Sequence, residues 1–240
     1  MTRRFAELVL SAERRPAVIC GGGPSLPQQL EIASRYLEKP VFFSVNEHGA
    51  RLRACDYVVC FDSIEQRVRR YAGRAPIVSP QWFADIRVAN HPYLPDSSAL
   101  AAWCAWMMGC APIVLCGIDL YGGQGGVYWH SREAESRGAG VSVAEHLNRW
   151  RRVALVVAGQ VRSMGGPLLE AGIFPAFDPL ELPSGIPLIE YALQQAVGVT
   201  LEMRQPFDVR GRHLEPGERV ELPFELAEHF LVDGIAGPPS

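Results

Sequence analysis

Apolar residues arrive along this chain in short β-branched runs, set between stretches where they recur every three or four positions. Pro16–Gly21 (PAVICG), Val41–Asn46 (VFFSVN), Tyr57–Asp62 (YVVCFD), Pro76–Pro80, Pro112–Asp119 (PIVLCGID) and Val161–Met164 read as strands. Helical spacing predicts helices from Ser25 to Leu37 and from Val143 to Ala158, and an amphipathic first helix in MTRRFAELVLSAERRP. Strands that are apolar throughout, alternating with helices, are what a parallel sheet covered on both faces requires. The expected fold is therefore α/β, a Rossmann-like, doubly wound, mostly parallel sheet.

The uncharged stretch Ala99–Gly117 approaches the length of a membrane span. Gly109 and Pro112 interrupt it, Ser97 or Ser98 offers an N-cap before it, and no Lys/Arg flank anchors it. It reads as a buried helix followed by a buried strand, so no membrane span is expected. Beyond Pro183 the pattern changes. A helix from Pro187 to Val197 leads into a segment where Pro216-Gly217 separates two alternating stretches, a hairpin or meander, with a short helix at Glu225–Leu231. The expected division is a nucleotide-binding domain over residues 1–182, a connecting helix over 183–197 and a small β-rich appendage over 198–240.

Composition narrows the class. Hydrophobic residues make up 48% and charged residues 20% of the 240, enough for a real core. The net charge of −3 gives no pull toward nucleic acid, and none is expected as a partner. Lys39 is the only lysine, so arginine clusters such as Arg149, Arg151 and Arg152 reflect composition and read as a solvated helix face. The six cysteines form no CxxC pair and lie in apolar runs, so a structural zinc site is not expected. With no secretion signal at the N-terminus, buried thiols in a reducing cytoplasm are the expectation.

Ligands in doubly wound folds sit at the carboxyl ends of the strands. Those ends read Gly21-Gly22-Gly23-Pro24-Ser25, Asn46-Glu47-His48, Asp62-Ser63 and Asp119-Leu120-Tyr121. The run CGGGPSL joins a strand to a helix whose N-terminus offers free amides and a positive dipole end to a phosphate. It is neither the dinucleotide fingerprint, because Leu26 stands where a third glycine is needed, nor a Walker loop. A long loop runs from Gly122 to Ser142 and carries Tyr128 and His130; His130 is the candidate general base. Tyr121 and Tyr128 are candidate donors to a departing phosphate, and Asp119 is a candidate to orient the base, hold a hydroxyl or bind magnesium. His146, within a helix, reads as structural, and His91, His213 and His229 have no clustered partners.

GGGPSL after the first strand, Asn46 after the second, Ser97 opening the buried helix and GIDLY after the fifth strand occur in an order that resembles the bacterial lipooligosaccharide sialyltransferases. Their wider relatives, the motility-associated-factor glycosyltransferases and the hydroxymethylpterin diphosphokinase-like proteins, share it. The resemblance spans roughly Ala17 to Pro179. It implies a nucleotide-sugar donor, a CMP-sugar in the sialyltransferase-like case, and a small-molecule or glycan acceptor. Gly22, Gly23, Pro24 and Ser25 would form the phosphate-side loop, and Asn46 and Ser97 would contact the nucleotide. Tyr121 and Tyr128 would stabilise the leaving phosphate while a histidine deprotonates the acceptor.

The chain departs from that pattern. The sialyltransferase histidine falls where this sequence reads Gly138–Ser142, without a histidine, and His130 lies only 11 positions past Asp119. That early histidine, with DYVVCFD, is similar to the diphosphokinase-like branch, in which Asp62 and Asp119 would bind magnesium; the glycosyltransferase reading needs no metal. The C-terminal GRHLEPGERVELPFELAEHFLVDGIA resembles modules of phage and prophage proteins, implying a phage component or an oligomer partner there. A non-catalytic binding or assembly protein is the third reading.

Overall fold

The structure is a computed structural model describing residues 2–88, 96–120, 128–130, 142–157, 159–180, 198–209, 212–223 and 236–237. Its first strand, β1 (Arg3–Arg4), runs into a 3-10 turn over Phe5–Leu8. Then come β2 (Ala17–Cys20), α1 (Leu26–Tyr36), β3 (Val41–Val45), β4 (Tyr57–Val59), α2 (Glu65–Ala72), β5 (Ile77–Ser79) and β6 (Ile86–Arg87). They are followed by α3 (Ser97–Met107), β7 (Ile113–Cys116), α4 (Val143–Val157), β8 (Val161–Ser163) and α5 (Pro167–Glu170). The eight strands form one all-parallel sheet in the order β1-β6-β5-β4-β3-β2-β7-β8. The order reverses at β2, whose two neighbours are β3 and β7, so β2 and β7 flank the switch point.

The continuous apolar runs serve both faces of this sheet, since successive side chains of a strand point to opposite sides. Val18, Cys20, Phe42, Val114 and Cys116 pack with Leu26, Leu30 and Ala33 of α1, while Val58, Cys60 and Ile77 cover Val68 of α2. The alternate residues Ile19, Phe43, Val59, Val78, Leu115 and Val161 meet α3 and α4 on the other face. α3 has buried residues from Ser97 through Met107, which is why its sequence carries no charge. The helix and the strand β7 are separated by a turn in which Gly109 takes a φ of 80°. No helix among the described residues is long and apolar enough to cross a membrane.

Three expectations are corrected. The N-terminal segment is not an amphipathic helix: Arg3 and Arg4 pair with Ile86 and Arg87 at the sheet edge, and Phe5, Ala6 and Leu8 are buried in the 3-10 turn. Main-chain bonds to a distant strand, with Phe5 against Trp103 at 5.6 Å between rings, outweigh the local helical spacing. The α3 N-cap is Asp96, whose side chain accepts from the amides of Ser98 and Ala99; Ser97 and Ser98 are already helical. The C-terminal part contains β9 (Gly198–Met203), β10 (Phe207–Val209), β11 (Arg212–Leu214), β12 (Arg219–Pro223) and β13 (Ala236–Gly237). Pro216-Gly217 joins β11 to β12 but does not pair them: β11 pairs with β10, and β12 with β9, both antiparallel. Met203 and Leu214 are buried with the main core, and Arg4 donates to Gln205 at 3.0 Å. The expected helices at Pro187–Val197 and Glu225–Leu231 lie outside the described residues.

Candidate functional site

A cleft of about 170 Å³ opens at the carboxyl end of the sheet, where the loops after β2, β3, β4 and β7 converge with the start of α3. Gly22, Asn46, His48, Asp62, Asp119 and Tyr128 are among the residues that line it. All six belong to the strand ends and loop picked out from the sequence, brought together because parallel strands of one sheet deliver their carboxyl ends to one edge.

The glycine loop is held by the protein itself. A Cβ on Gly21 would overlap the Gly117 carbonyl. One on Gly22 would meet the Tyr128 ring at 2.6 Å and the His48 ring at 2.9 Å. A Cβ on Gly23 would overlap the Asp119 carboxylate and lie 2.8 Å from the Gly117 oxygen. The Asp119 carboxylate accepts from the Ser25 amide at 3.1 Å and from its hydroxyl at 2.6 Å. Asp119 thus sits at the N-terminal end of α1, stabilised by the helix dipole, and takes up an amide and a hydroxyl that a phosphate would also seek. Pro24 precedes Ser25 in this turn, and Leu26 begins the helix. Gln29, one turn further, accepts from the Gly117 amide at 2.8 Å, which ties the two switch-point loops together.

Asn46 follows β3 with a φ of 50°, a left-handed conformation that asparagine tolerates better than most side chains. Its amide donates to the Val59 carbonyl at 2.9 Å, and its carbonyl accepts from the Ser44 hydroxyl at 2.7 Å. The side chain, 9% exposed, lines the cleft, and its Oδ1 has no hydrogen-bond partner among the described residues. Such a group costs about 1–3 kcal/mol unless a ligand or water meets it. Ser97, which also lines the cleft, accepts from the Phe61 amide at 2.9 Å and anchors the loop after β4. In that loop Asp62 is held above the usual carboxylate range, first by burial and then by the charge of Asp96.

Tyr128, Trp129 and His130 close one side. The Trp129 amide donates to the Gly22 carbonyl at 3.1 Å, and the Tyr128 ring packs on His48 with centroids 4.3 Å apart. His48 Nδ1 and His130 Nε2 are 3.0 Å apart, a hydrogen bond between two imidazoles. Burial holds His48 down to about 4, the neighbouring His130 lowering it further against the opposing pull of Glu47, so its ring is neutral near pH 7. Glu47 is buried beside it, paired to Arg67 Nε at 2.7 Å.

His48 is the site residue that sequence reasoning passed over: it stood only as part of a polar strand end, and its partner is 82 positions away. His146, read as structural, lies on α4 and also lines the cleft. Tyr121 and most of the loop from Gly122 to Ser142 lie outside the described residues. Arg149 pairs with Glu145 and Arg151 with Asn148 on α4, as a solvated face would.

No family model and no curated protein matches this chain. Among solved structures, its fold is similar to that of the MAf glycosyltransferase from Magnetospirillum magneticum AMB-1, with a TM-score of 0.50 at 11% sequence identity. The match covers 77% of this chain and 37% of that one, so the chain spans well under half the length of the structure it resembles. At this identity the likeness is one of fold.

Proposed function

We propose that the chain is a nucleotide-dependent transferase, a glycosyltransferase that uses a nucleotide-sugar donor. The observation that carries the reading is the buried Asn46 side chain, whose Oδ1 has no partner among the described residues, lining a cleft at the switch point of a doubly wound sheet. An amide offers a donor and an acceptor side by side, which suits the edge of a nucleobase or a ribose hydroxyl pair. The fold likeness to a glycosyltransferase supports the class of chemistry. In this reading His130 takes the proton of an acceptor hydroxyl and the freed oxygen attacks the anomeric carbon. The bond from that carbon to the phosphate oxygen breaks, and the nucleotide leaves with the electron pair. Tyr128, and Tyr121 with it, would donate to the leaving phosphate. Because Ser25 is already engaged by Asp119 and the Gly23 amide donates to the Gly117 carbonyl, the phosphate-side contacts fall to Gly22, which lines the cleft, and to these tyrosines.

One observation favours a second reading. Asp62 and Asp96 both line the cleft, and Asp62 is raised partly by Asp96, an arrangement that a magnesium ion bound with ATP would relieve. A diphosphokinase-like transfer would then follow.

Thermal unfolding against CMP, CDP, UDP, GDP, ATP and the matching nucleotide sugars, with and without Mg²⁺, separates the two. A ligand at a hundredfold over its Kd stabilises by about 2.7 kcal/mol, which at this size raises Tm by roughly 5–10 °C. A shift with one nucleotide sugar, indifferent to EDTA and abolished by Asn46→Asp, supports the glycosyltransferase. A shift with ATP and Mg²⁺ alone supports the diphosphokinase. Silence across the panel, with the chain folded, refutes both and leaves a binding or assembly role, with the C-terminal strands as the surface for a phage component or a second copy.

A further inference from the structure

We propose that Glu47, His48 and His130 form a binding site for one divalent transition-metal ion of the zinc class at the wall of the cleft. One donor atom from each of the three lies within 4.8 Å of the other two. The chain builds this cluster from two segments. Glu47 and His48 follow Asn46 in the turn after β3, where the His48 amide donates to the Val45 carbonyl at 3.1 Å. His130 arrives from the other side, on the segment that the Trp129 amide fastens to Gly22.

Two imidazole nitrogens each roughly 2.0–2.1 Å from a shared tetrahedral ion stand about 3.3 Å apart. His48 Nδ1 and His130 Nε2, 3.0 Å apart, therefore need to separate by only a few tenths of an ångström to admit one. In the metal-free protein a single proton bridges the two rings; an ion takes its place. The carboxylate supplies an independent indication. Glu47 is 1% exposed, its Oε1 pairs with Arg67, and its Oε2 has no hydrogen-bond partner among the described residues. A buried carboxylate oxygen with nothing to accept from is expensive, and a cation answers it directly. The Arg67 guanidinium, ion-paired to Oε1, keeps the carboxylate ionised and in place behind the ligating oxygen.

The donor set selects the ion. Two imidazoles and one carboxylate favour zinc, cobalt or nickel over magnesium or calcium, which prefer oxygen alone. Three protein ligands leave at least one position open, and both Tyr128 and the cleft lie beside it, as in sites that act on a ligand rather than only brace a fold. His130 Nε2 cannot hold an ion and a proton together, so an ion bound there displaces the proton shared with His48. This inference stands apart from the nucleotide reading: the ion is measured without any nucleotide present.

The test uses the full chain stripped of metal and titrated with Zn²⁺, followed by gel filtration and metal analysis, with Co²⁺ as a spectroscopic probe. The expected result is one equivalent of zinc retained, visible d–d absorption on adding Co²⁺, a rise in Tm with Zn²⁺, and no response to Mg²⁺. His130→Ala, a half-buried position that leaves the core intact, loses the bound equivalent; Glu47→Gln does the same where it folds. Cys55→Ser keeps it. No zinc bound by the wild-type chain, or the full equivalent retained by His130→Ala, overturns the proposal.

Discussion

A methyl group added at Gly23 tests whether the glycine loop is shaped by the protein or by its ligand. In Gly23→Ala the new Cβ overlaps the Asp119 carboxylate and sits 2.8 Å from the Gly117 carbonyl, which is backbone and cannot swing away. Overpacking of this kind costs about 1–3 kcal/mol, and the carboxylate must also leave Ser25, from which it accepts two bonds. Hydrogen bonds to a charged group are worth about 1.5–3 kcal/mol each, and with both on one half-buried Ser25 we expect about 3 kcal/mol for Asp119→Ala alone. Gly23→Ala should therefore cost about 4 kcal/mol, a fall in Tm of roughly 8–16 °C for a chain of this size. In the double variant the clash with the carboxylate is gone while the contact with Gly117 remains. Its cost is expected to be smaller than the sum of the singles by about 1–3 kcal/mol. Urea and thermal unfolding of the four proteins measure the cycle. Additive costs, or a Gly23→Ala protein as stable as the parent, would refute the reasoning and return the glycine to a ligand-facing role.

The buried thiols set an alkaline limit. Burial pushes Cys55, Cys60 and Cys110 up to about 12, and raises Cys20, Cys104 and Cys116 as well. A group whose pKa is higher folded than unfolded contributes stability in full below its unfolded value, about 8.5, and loses it as pH rises toward the folded value. Unfolding free energy is expected to decline from about pH 9 upward, and a curve flat to pH 11 would contradict it. By the same shift, alkylation of the five buried cysteines of the native protein at pH 8 should be slower by roughly a thousandfold than in urea, read by mass spectrometry, with the partly exposed Cys55 protected less. Phe5→Ala should cost about 3–5 kcal/mol, because Phe5 is fully buried against Trp103; a loss under 1 kcal/mol would mean that the N-terminal segment is not part of the core.

The alternation of apolar runs and helical spacing was enough to read the class of fold, because a strand buried on both faces has no polar position to spare. All six expected strands and the boundaries of α1 and α4 lie within a few residues of where that spacing puts them. The candidate site was legible to the same depth. Glycine-rich and polar residues directly after apolar runs mark the carboxyl edge of a parallel sheet, and Gly22, Asn46, Asp62, Ser97, Asp119 and Tyr128 line one cleft there. Where local preference and distant pairing compete, the chain is silent. The first residues have helical spacing yet join the sheet edge, since the exposed backbone of β6 offers main-chain bonds that a short helix cannot match. α2, with Val68 as its one buried side chain, is too polar to announce itself.

The sequence alone determined which residues stand at strand ends, because that follows from local periodicity and from glycine, proline and asparagine acting within a few positions. The tertiary structure decided which strand ends are neighbours, and with them the contacts that give the cleft its chemistry. Asp119 reaches Ser25 across 94 positions and His48 meets His130 across 82. Nothing in the local pattern encodes such pairs; they exist because β2 lies between β3 and β7, and a one-strand change in that order would take them apart.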